Sequence, residues 1–272
     1  MRAFLTSTLL FLLVVPVFAQ PNEAESIDAK LREAIPDDGT DAASKKILET
    51  HLRSLGGLGR IMTIRNTVSK GILKEAKEDY DMVYYRAAPD KIRVETSQTF
   101  MGRPQTLIEG YNGEIAWEYD KRSENAFPKE VSAKQAADLI QEADFYGPLV
   151  NWEEKGYVFK YEGEVKSRGR KHYLLKMFYP NGRTVYFYFD AKTLLVTRVG
   201  REKNVRNTLV DTDVYYTKYD RVDGIWMPVK YEFALEDQIF GSLTLDSIEA
   251  NQPMDLEIFN VPKIKERWLR KN

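Results

Sequence analysis

The chain has no cysteine and only two histidines in 272 residues. Without cysteine there are no disulfide staples, no thiolate nucleophile and no sulfur-ligated metal. Nor does any cysteine follow the N-terminal leader to carry a lipid anchor. His51 and His172 are the only imidazoles, so no histidine pair is available for a zinc site, and no Gly-x-Ser-x-Gly elbow is present. An excess of charge of either sign is also missing. The 40 Lys and Arg nearly balance the 41 Asp and Glu, for a net charge of −1. A nucleic-acid binder would show a basic surplus, so no nucleic-acid partner is expected. There is no repeat of fixed period and no low-complexity segment.

Two further patterns fail as chemistry. With 41 acids, chance carboxylate pairs are unavoidable, and most acids fall on the wet face of alternating strands, where solubility explains them. Gly56-Gly57-Leu58-Gly59 resembles a phosphate loop, but it follows a helix and lacks the Gly-Lys-Ser/Thr ending. The expectation is a protein that is not an enzyme, with no metal and no cofactor.

What is present begins with a leader. Arg2 gives a positive start, Leu9 to Val15 an apolar core, and Val17-Phe18-Ala19 a small-residue cleavage pattern with Ala19 last before the cut. The apolar stretch is too short to span a bilayer. Residues 1–19 therefore read as a signal peptide, and the mature chain as an exported, soluble, periplasmic protein. Removing the leader removes one cation, Arg2, leaving 39 basic against 41 acidic residues. Residues 20–40 read as a polar arm or linker, and 263–272 as a basic C-terminal tail.

The rest is dominated by strands. Aromatics make up 12% of the chain, with 16 Tyr, a composition that suits pleated, half-buried surfaces. One helix precedes them over residues 41–55. Thr40 or Asp41 caps it, Ile47, Leu48, Leu52 and Leu55 recur at helical spacing, and Gly56-Gly57 stop it. His51 shares the side of Leu48 and Leu52 and reads as a packed helix residue. From Ile61 the period changes to two. Ile61–Leu73, Tyr80–Ala87, Lys91–Thr99, Arg103–Glu109 and Glu114–Asp120 read as strands, with Pro89-Asp90 and Asn112-Gly113 as turns. On the last of these Ile115, Trp117 and Tyr119 share the apolar face, and Glu114, Glu118 and Asp120 the other. An Ala-rich helix over 132–144, capped by Ser132, interrupts the series. Strands around Tyr157–Glu162 and His172–Tyr179 follow, then Thr184–Asp190, Thr193–Arg201, Thr208–Tyr219, Trp226–Leu235 and Leu243–Glu249. Short turns between roughly a dozen strands indicate an antiparallel meander. Residues 41–262 read as one domain. Only two modest helices are available to cover so long an apolar face, which leaves room for a ligand cavity.

The sequence then becomes familiar. Leu55-Gly56-Gly57 closes the first helix, and Tyr111-Asn112-Gly113-Glu114-Ile115-Ala116-Trp117 lies ahead of the second. Tyr188 to Arg198 (YFDAKTLLVTR), Tyr219 to Pro228 (YDRVDGIWMP) and Asn251 to Pro262 (NQPMDLEIFNVP) follow. Over roughly 41–262 the chain resembles the LolA/LolB-like group, the outer-membrane lipoprotein-sorting proteins. The resemblance implies a mainly β fold, an open and strongly curved antiparallel half-barrel with helices covering its concave face. It also implies an apolar cavity that binds acyl chains of lipoproteins or phospholipid and carries them across the periplasm. This chain is longer than the best-known carriers and adds the polar arm. The apolar-face residues expected to line the cavity are Ile92, Val94, Ile115, Trp117 and Tyr119, then Tyr157, Phe159, Tyr173, Leu175 and Met177, then Tyr231 and Phe233. Leu139 and Ile140 face them from the lid helix. The alternative reading is a non-enzymatic periplasmic sensor that binds lipoprotein and a transient membrane-protein partner through the same fold.

Overall fold

The computed structural model describes residues 32–76, 78–123, 126–205 and 208–263. The expected signal peptide (1–19), most of the expected polar arm (20–40) and nearly all of the expected basic tail (263–272) lie outside the described residues. Thirteen antiparallel strands hold more than half of the described residues. They are β1 (Asn66–Glu75), β2 (Glu78–Ala87), β3 (Lys91–Phe100), β4 (Arg103–Tyr111), β5 (Ala116–Asp120), β6 (Lys129–Val131), β7 (Val158–Ser167), β8 (Arg170–Phe178), β9 (Thr184–Asp190), β10 (Val196–Val205), β11 (Thr208–Val222), β12 (Ile225–Leu235) and β13 (Gln238–Ala250). They are hydrogen-bonded in the order β6-β5-β4-β3-β2-β1-β13-β12-β11-β10-β9-β8-β7. The order begins at β6 and ends at β7, so the sheet is open and not closed into a barrel. Among the described residues the helices are α1 (Ala42–Leu55), α2 (Leu58–Ile61) and α3 (Ala137–Glu142), with a 3-10 turn at Leu256–Phe259. The mainly β, antiparallel class expected from the alternation is the class observed.

Within 41–262 the chain forms two compact units. One holds residues up to 63, 73–78 and 148–245. The other holds 64–72, 79–147 and the residues from 246 onward.

In the first unit, α1 forms because its ends are satisfied as well as its apolar stripe. Asp41 takes extended backbone and its carboxylate accepts from the Ser44 amide at 2.8 Å and the Ser44 hydroxyl at 3.0 Å. At the other end Gly56, at φ 132, lets the chain turn away while its amide donates to Arg53. A β-carbon there would lie 2.9 Å from the Gly224 carbonyl oxygen, so the position tolerates no side chain. Leu48, fully buried, carries the helix into a cluster of Phe159, Leu175, Met177, Val185, Phe187, Phe189 and Val196. Asp41 and Thr40 also cover the open edge of the sheet: the Tyr161 amide donates to Asp41 at 2.8 Å and the Phe159 amide to Thr40 at 3.1 Å. A register shift between Tyr161 and Gly163, and the exposed Glu162, Glu164 and Lys166, guard the rest of β7.

His51 is buried under α1, where its Nδ1 lies 2.7 Å from the Leu194 carbonyl and its ring meets Phe189 edge-on. Burial pushes its pKa down to about 4, against the raising effect of the Leu194 contact. A base with a depressed folded-state pKa binds its proton more readily when unfolded, so folding loses stability as pH falls below 6.5, levelling off near 4. Denaturation series should show that acid slope, and His51→Gln should flatten it. Equal slopes for the two proteins would show that His51 does not titrate in this window.

Several boundaries differ from the sequence reading, and β6 is not part of it. Residues 58–61 form the single turn α2, because Gly57 starts a turn that the apolar Leu58 and Ile61 close, and β1 begins at Asn66. The middle helix is confined to Ala137–Glu142: Ser132 accepts from the Gln135 amide at 3.3 Å and so caps the turn before the helix, whose own N-cap, Ala136, has no side-chain bond. Strand β6 is only three residues, too short to show alternation.

Candidate functional site

Directly opposed residues of an antiparallel pair put their side chains on one face, so the register assigns the expected cavity residues that lie within strands. In the first unit Phe159 opposes Met177, Tyr161 opposes Leu175, and Leu175 and Tyr173 oppose Phe187 and Phe189. The same face continues through Phe187 and Val199 to Val214, and from there to Phe233, with Tyr231 opposite Tyr216. Phe159, Tyr173, Leu175, Met177, Tyr231 and Phe233 therefore share one face, and Tyr157, just before β7, packs against the same cluster. Phe159, Leu175 and Met177 are 0% exposed beneath α1.

The other face of these strands is polar. It carries a cleft of about 380 Å³ lined by Glu33, Tyr186, Tyr188, Arg198, Gly200 and Asp213, among others. Arg198 grips Asp213 with two bonds, at 2.6 and 2.8 Å, and lies over the Tyr188 ring at 4.7 Å. Glu33, from the arm, accepts from Lys176 at 2.6 Å. His172 lies on this side, held between the Arg170 carbonyl (2.9 Å) and the Thr197 hydroxyl (2.8 Å). Both histidines are thus occupied with packing contacts. No cluster of three or more metal-ligating side chains occurs among the described residues.

In the second unit the register separates residues that the sequence reading put together. Ile92 opposes Tyr111 and Val94 opposes Glu109, while Glu109 opposes Glu118 and Tyr111 opposes Ala116. Trp117 instead opposes Gly110, and Gly110 opposes Arg93. Ile92 and Val94 therefore face one way, and Trp117 and Tyr119 the other. Ile115 is half-buried in the turn before β5. The Trp117 face is closed by the chain itself: the indole donates to the Phe259 carbonyl at 2.7 Å, Arg93 donates to Ile258 at 3.0 Å, and Phe259 is 0% exposed. The ring takes the space over Gly110, where a β-carbon would lie 2.4 Å from it.

The Ile92 face is the one that α3 covers. Arg86, opposite Ile92, donates from one guanidinium nitrogen to the carbonyls of Glu142 and Asp144, both at 2.8 Å. It lies 5.5 Å from the centre of the Phe145 ring. Cations at a helix C-terminus answer its unpaired carbonyls and its dipole. Leu139 is buried on this side, Ile140 half-buried. Arg86→Met should loosen α3, raising amide exchange over 137–145 while β3 and β4 stay protected. Unchanged exchange would show that apolar packing alone holds the helix.

Glu109 lies on that same face and is 7% exposed. Burial pushes its pKa up to about 7, Glu118 adds to the rise, and Arg122 opposes it. Sequence reasoning missed both Glu109 and Arg86. Each interrupts an alternating apolar set, Leu107-x-Glu109-x-Tyr111 and Met82-x-Tyr84-x-Arg86, and that interruption was the available signal.

The fold is LolA-like. Solved structures with the same fold include a DUF1329 family protein from Desulfovibrio piger (TM-score 0.57, 11% identity, covering 79% of this chain and 96% of that one). A putative outer membrane lipoprotein-sorting protein domain from Vibrio parahaemolyticus matches at TM-score 0.53 and 14% identity, covering 79% and 95%. A LolA superfamily protein from Nitrosomonas europaea matches at TM-score 0.53 and 14% identity, covering 79% and 96%. At such identities the likeness is one of fold. No family model matches the sequence, and no curated protein matches it. Among the described residues no helix is long and apolar enough to cross a membrane.

Proposed function

We propose that this protein is a non-enzymatic carrier that takes acyl chains of lipids or lipoproteins onto the α3-covered face of its second unit. The observation that supports this reading is the way that face is covered. A six-residue helix without a side-chain N-cap packs on β4, and Arg86, on the face shared with Ile92 and Val94, holds the carbonyls at its C-terminus. So short a cover is lighter than that of the first unit, where the 14-residue α1 sits on a packed core. Leu139 and Ile140 would then meet the ligand from the lid. The first-unit residues from Tyr157 to Phe233 act as scaffold.

The energetics suit a carrier. An acyl chain of about 14 methylenes gains ~11 kcal/mol on leaving water, at ~0.8 kcal/mol per CH₂. Lifting the cover and ordering the chain offset much of that, which keeps release feasible. The leader over residues 1–19 supports export to the periplasm, and a membrane protein is the expected transient donor or acceptor.

Native mass spectrometry of the mature protein from an exported pool, followed by organic extraction, tests the reading. Co-purifying phospholipid or acylated peptide is the expected result. A clean apo mass that also ignores added lipid and acylated peptide would overturn it.

A further inference from the structure

The polar face of the first unit holds a smaller cavity, of about 80 Å³, lined by Ser167, Arg168, Arg170, His172, Thr197 and Thr217, among others. Among the described residues that line it there is no carboxylate. Two arginines come to it from one turn. Ser167 opposes Arg170 across a two-residue loop whose residues, Arg168 and Gly169, both have positive φ, 46° and 75°. Asparagine and glycine suit that backbone, and Arg168 holds it against the usual steric cost. Its guanidinium carbon lies 3.5 Å from the centre of the Tyr215 ring, and it donates to Glu232 at 2.7 Å. Arg170 lies 3.5 Å from one oxygen of Asp190, whose other oxygen accepts from the Lys192 amide and from the amide and hydroxyl of Thr193. A guanidinium carries five donors, and each of these spends one contact on a carboxylate outside the cavity lining. His172, 1% exposed, fixes an acceptor beside them. The Arg170 carbonyl, 2.9 Å from Nδ1, can only accept, so Nδ1 carries its hydrogen, and in the neutral ring Nε2 accepts the Thr197 hydroxyl at 2.8 Å. The Thr197 oxygen is left as an acceptor among donors.

We propose that this cavity binds a phosphate group that still carries one proton, as hydrogen phosphate or as the monoanion of a phosphate monoester. The inference is independent of the carrier reading, since the cavity lies in the other unit and on its polar face. Arg168, Arg170 and the Ser167 hydroxyl donate to the unprotonated oxygens, where charge-assisted bonds are strongest. The P–OH donates to Thr197. Sulfate offers the same acceptors but no hydrogen, so it leaves Thr197 unanswered. The volume takes a tetrahedral oxyanion and excludes an acyl chain, so a lipid enters by its head group alone.

Titration calorimetry of the mature protein with inorganic phosphate and with sulfate, at low ionic strength and neutral pH, tests this. One phosphate should bind per protein, and sulfate about tenfold more weakly. Arg170→Gln should weaken phosphate binding about tenfold. Lys171→Gln makes the same charge change on the other face of β8 and should bind as wild type does. Arg170 and Lys171 are exposed at the turn, so both variants should melt with wild type. Flotation with phosphatidylcholine vesicles, with and without phosphatidic acid, separates the sources of the phosphate. Recruitment by phosphatidic acid that Arg170→Gln loses supports a lipid head group, and phosphate binding without recruitment supports a soluble phosphate. No phosphate binding by wild type, or equal losses in Arg170→Gln and Lys171→Gln, would overturn the site. Sulfate binding as tight as that of phosphate would overturn the protonated phosphate as its ligand.

Discussion

Replacing Trp117 with alanine should lower the unfolding free energy by about 3–5 kcal/mol, the range for emptying a large aromatic site in a core. Trp117 is 0% exposed, stands over Gly110 and closes on the C-terminal turn through its bond to the Phe259 carbonyl. Truncation removes the ring, leaves the Phe259 carbonyl without its donor and frees the segment that Arg93 also holds. Gly110→Ala attacks the same contact from below, since its methyl would meet the ring at 2.4 Å and the strand must shift. Urea denaturation measures both variants. A loss of less than ~1 kcal/mol for Trp117→Ala would put the residue at a site free to rearrange, as the sequence reading of a cavity wall requires. The expected large loss marks it as the rivet of the second unit.

Glu109→Gln should stabilise the protein, and only at neutral pH and above. The carboxyl has an ordinary pKa of 4.5 and a folded-state pKa of about 7, raised first by burial and then by Glu118. An acid with a raised folded-state pKa gives up its proton more easily when unfolded. Its cost to folding is therefore absent below 4.5, grows between 4.5 and about 7, and is complete above that. A gap of that size corresponds to at most about 3 kcal/mol. The variant and wild type should be equally stable near pH 4 and diverge by pH 8, with glutamine ahead. Parallel stability curves across this range would show that Glu109 is solvated or paired in solution.

Much of the fold could be read from the sequence because alternation and turn chemistry are local. Asp41 and Gly56 bound α1 as their residue types suggest, and the class, the meander and His51 as a packed helix residue followed from the same signals. Local alternation says which residues of one strand share a face. It does not say which face of the neighbour they join. That depends on register, and register depends on turn geometry. Trp117 and Val94 were grouped because both are apolar in alternating strands. The tight turn at Met101 and Gly102 and the longer one at Asn112–Ile115 place Trp117 against Gly110 and Val94 against Glu109. The closure of the Trp117 face is a contact between residues 117 and 259, far apart in the chain, and no periodicity encodes it. The three-residue strand β6 fell below the length at which alternation is visible.

The bond from Trp117 to the Phe259 carbonyl also sets a timetable. The second unit is assembled from residues 64–72, 79–147 and the stretch from 246 onward, so a chain made N-terminus first holds its early strands long before their last partner exists. Most of the first unit, including α1 and β7 to β12, is complete by then. The indole of Trp117 must wait, unfilled, for nearly the whole chain to follow it. Until Phe259 arrives, the early hairpins β2 to β5 expose an apolar face that any holding chaperone could recognise.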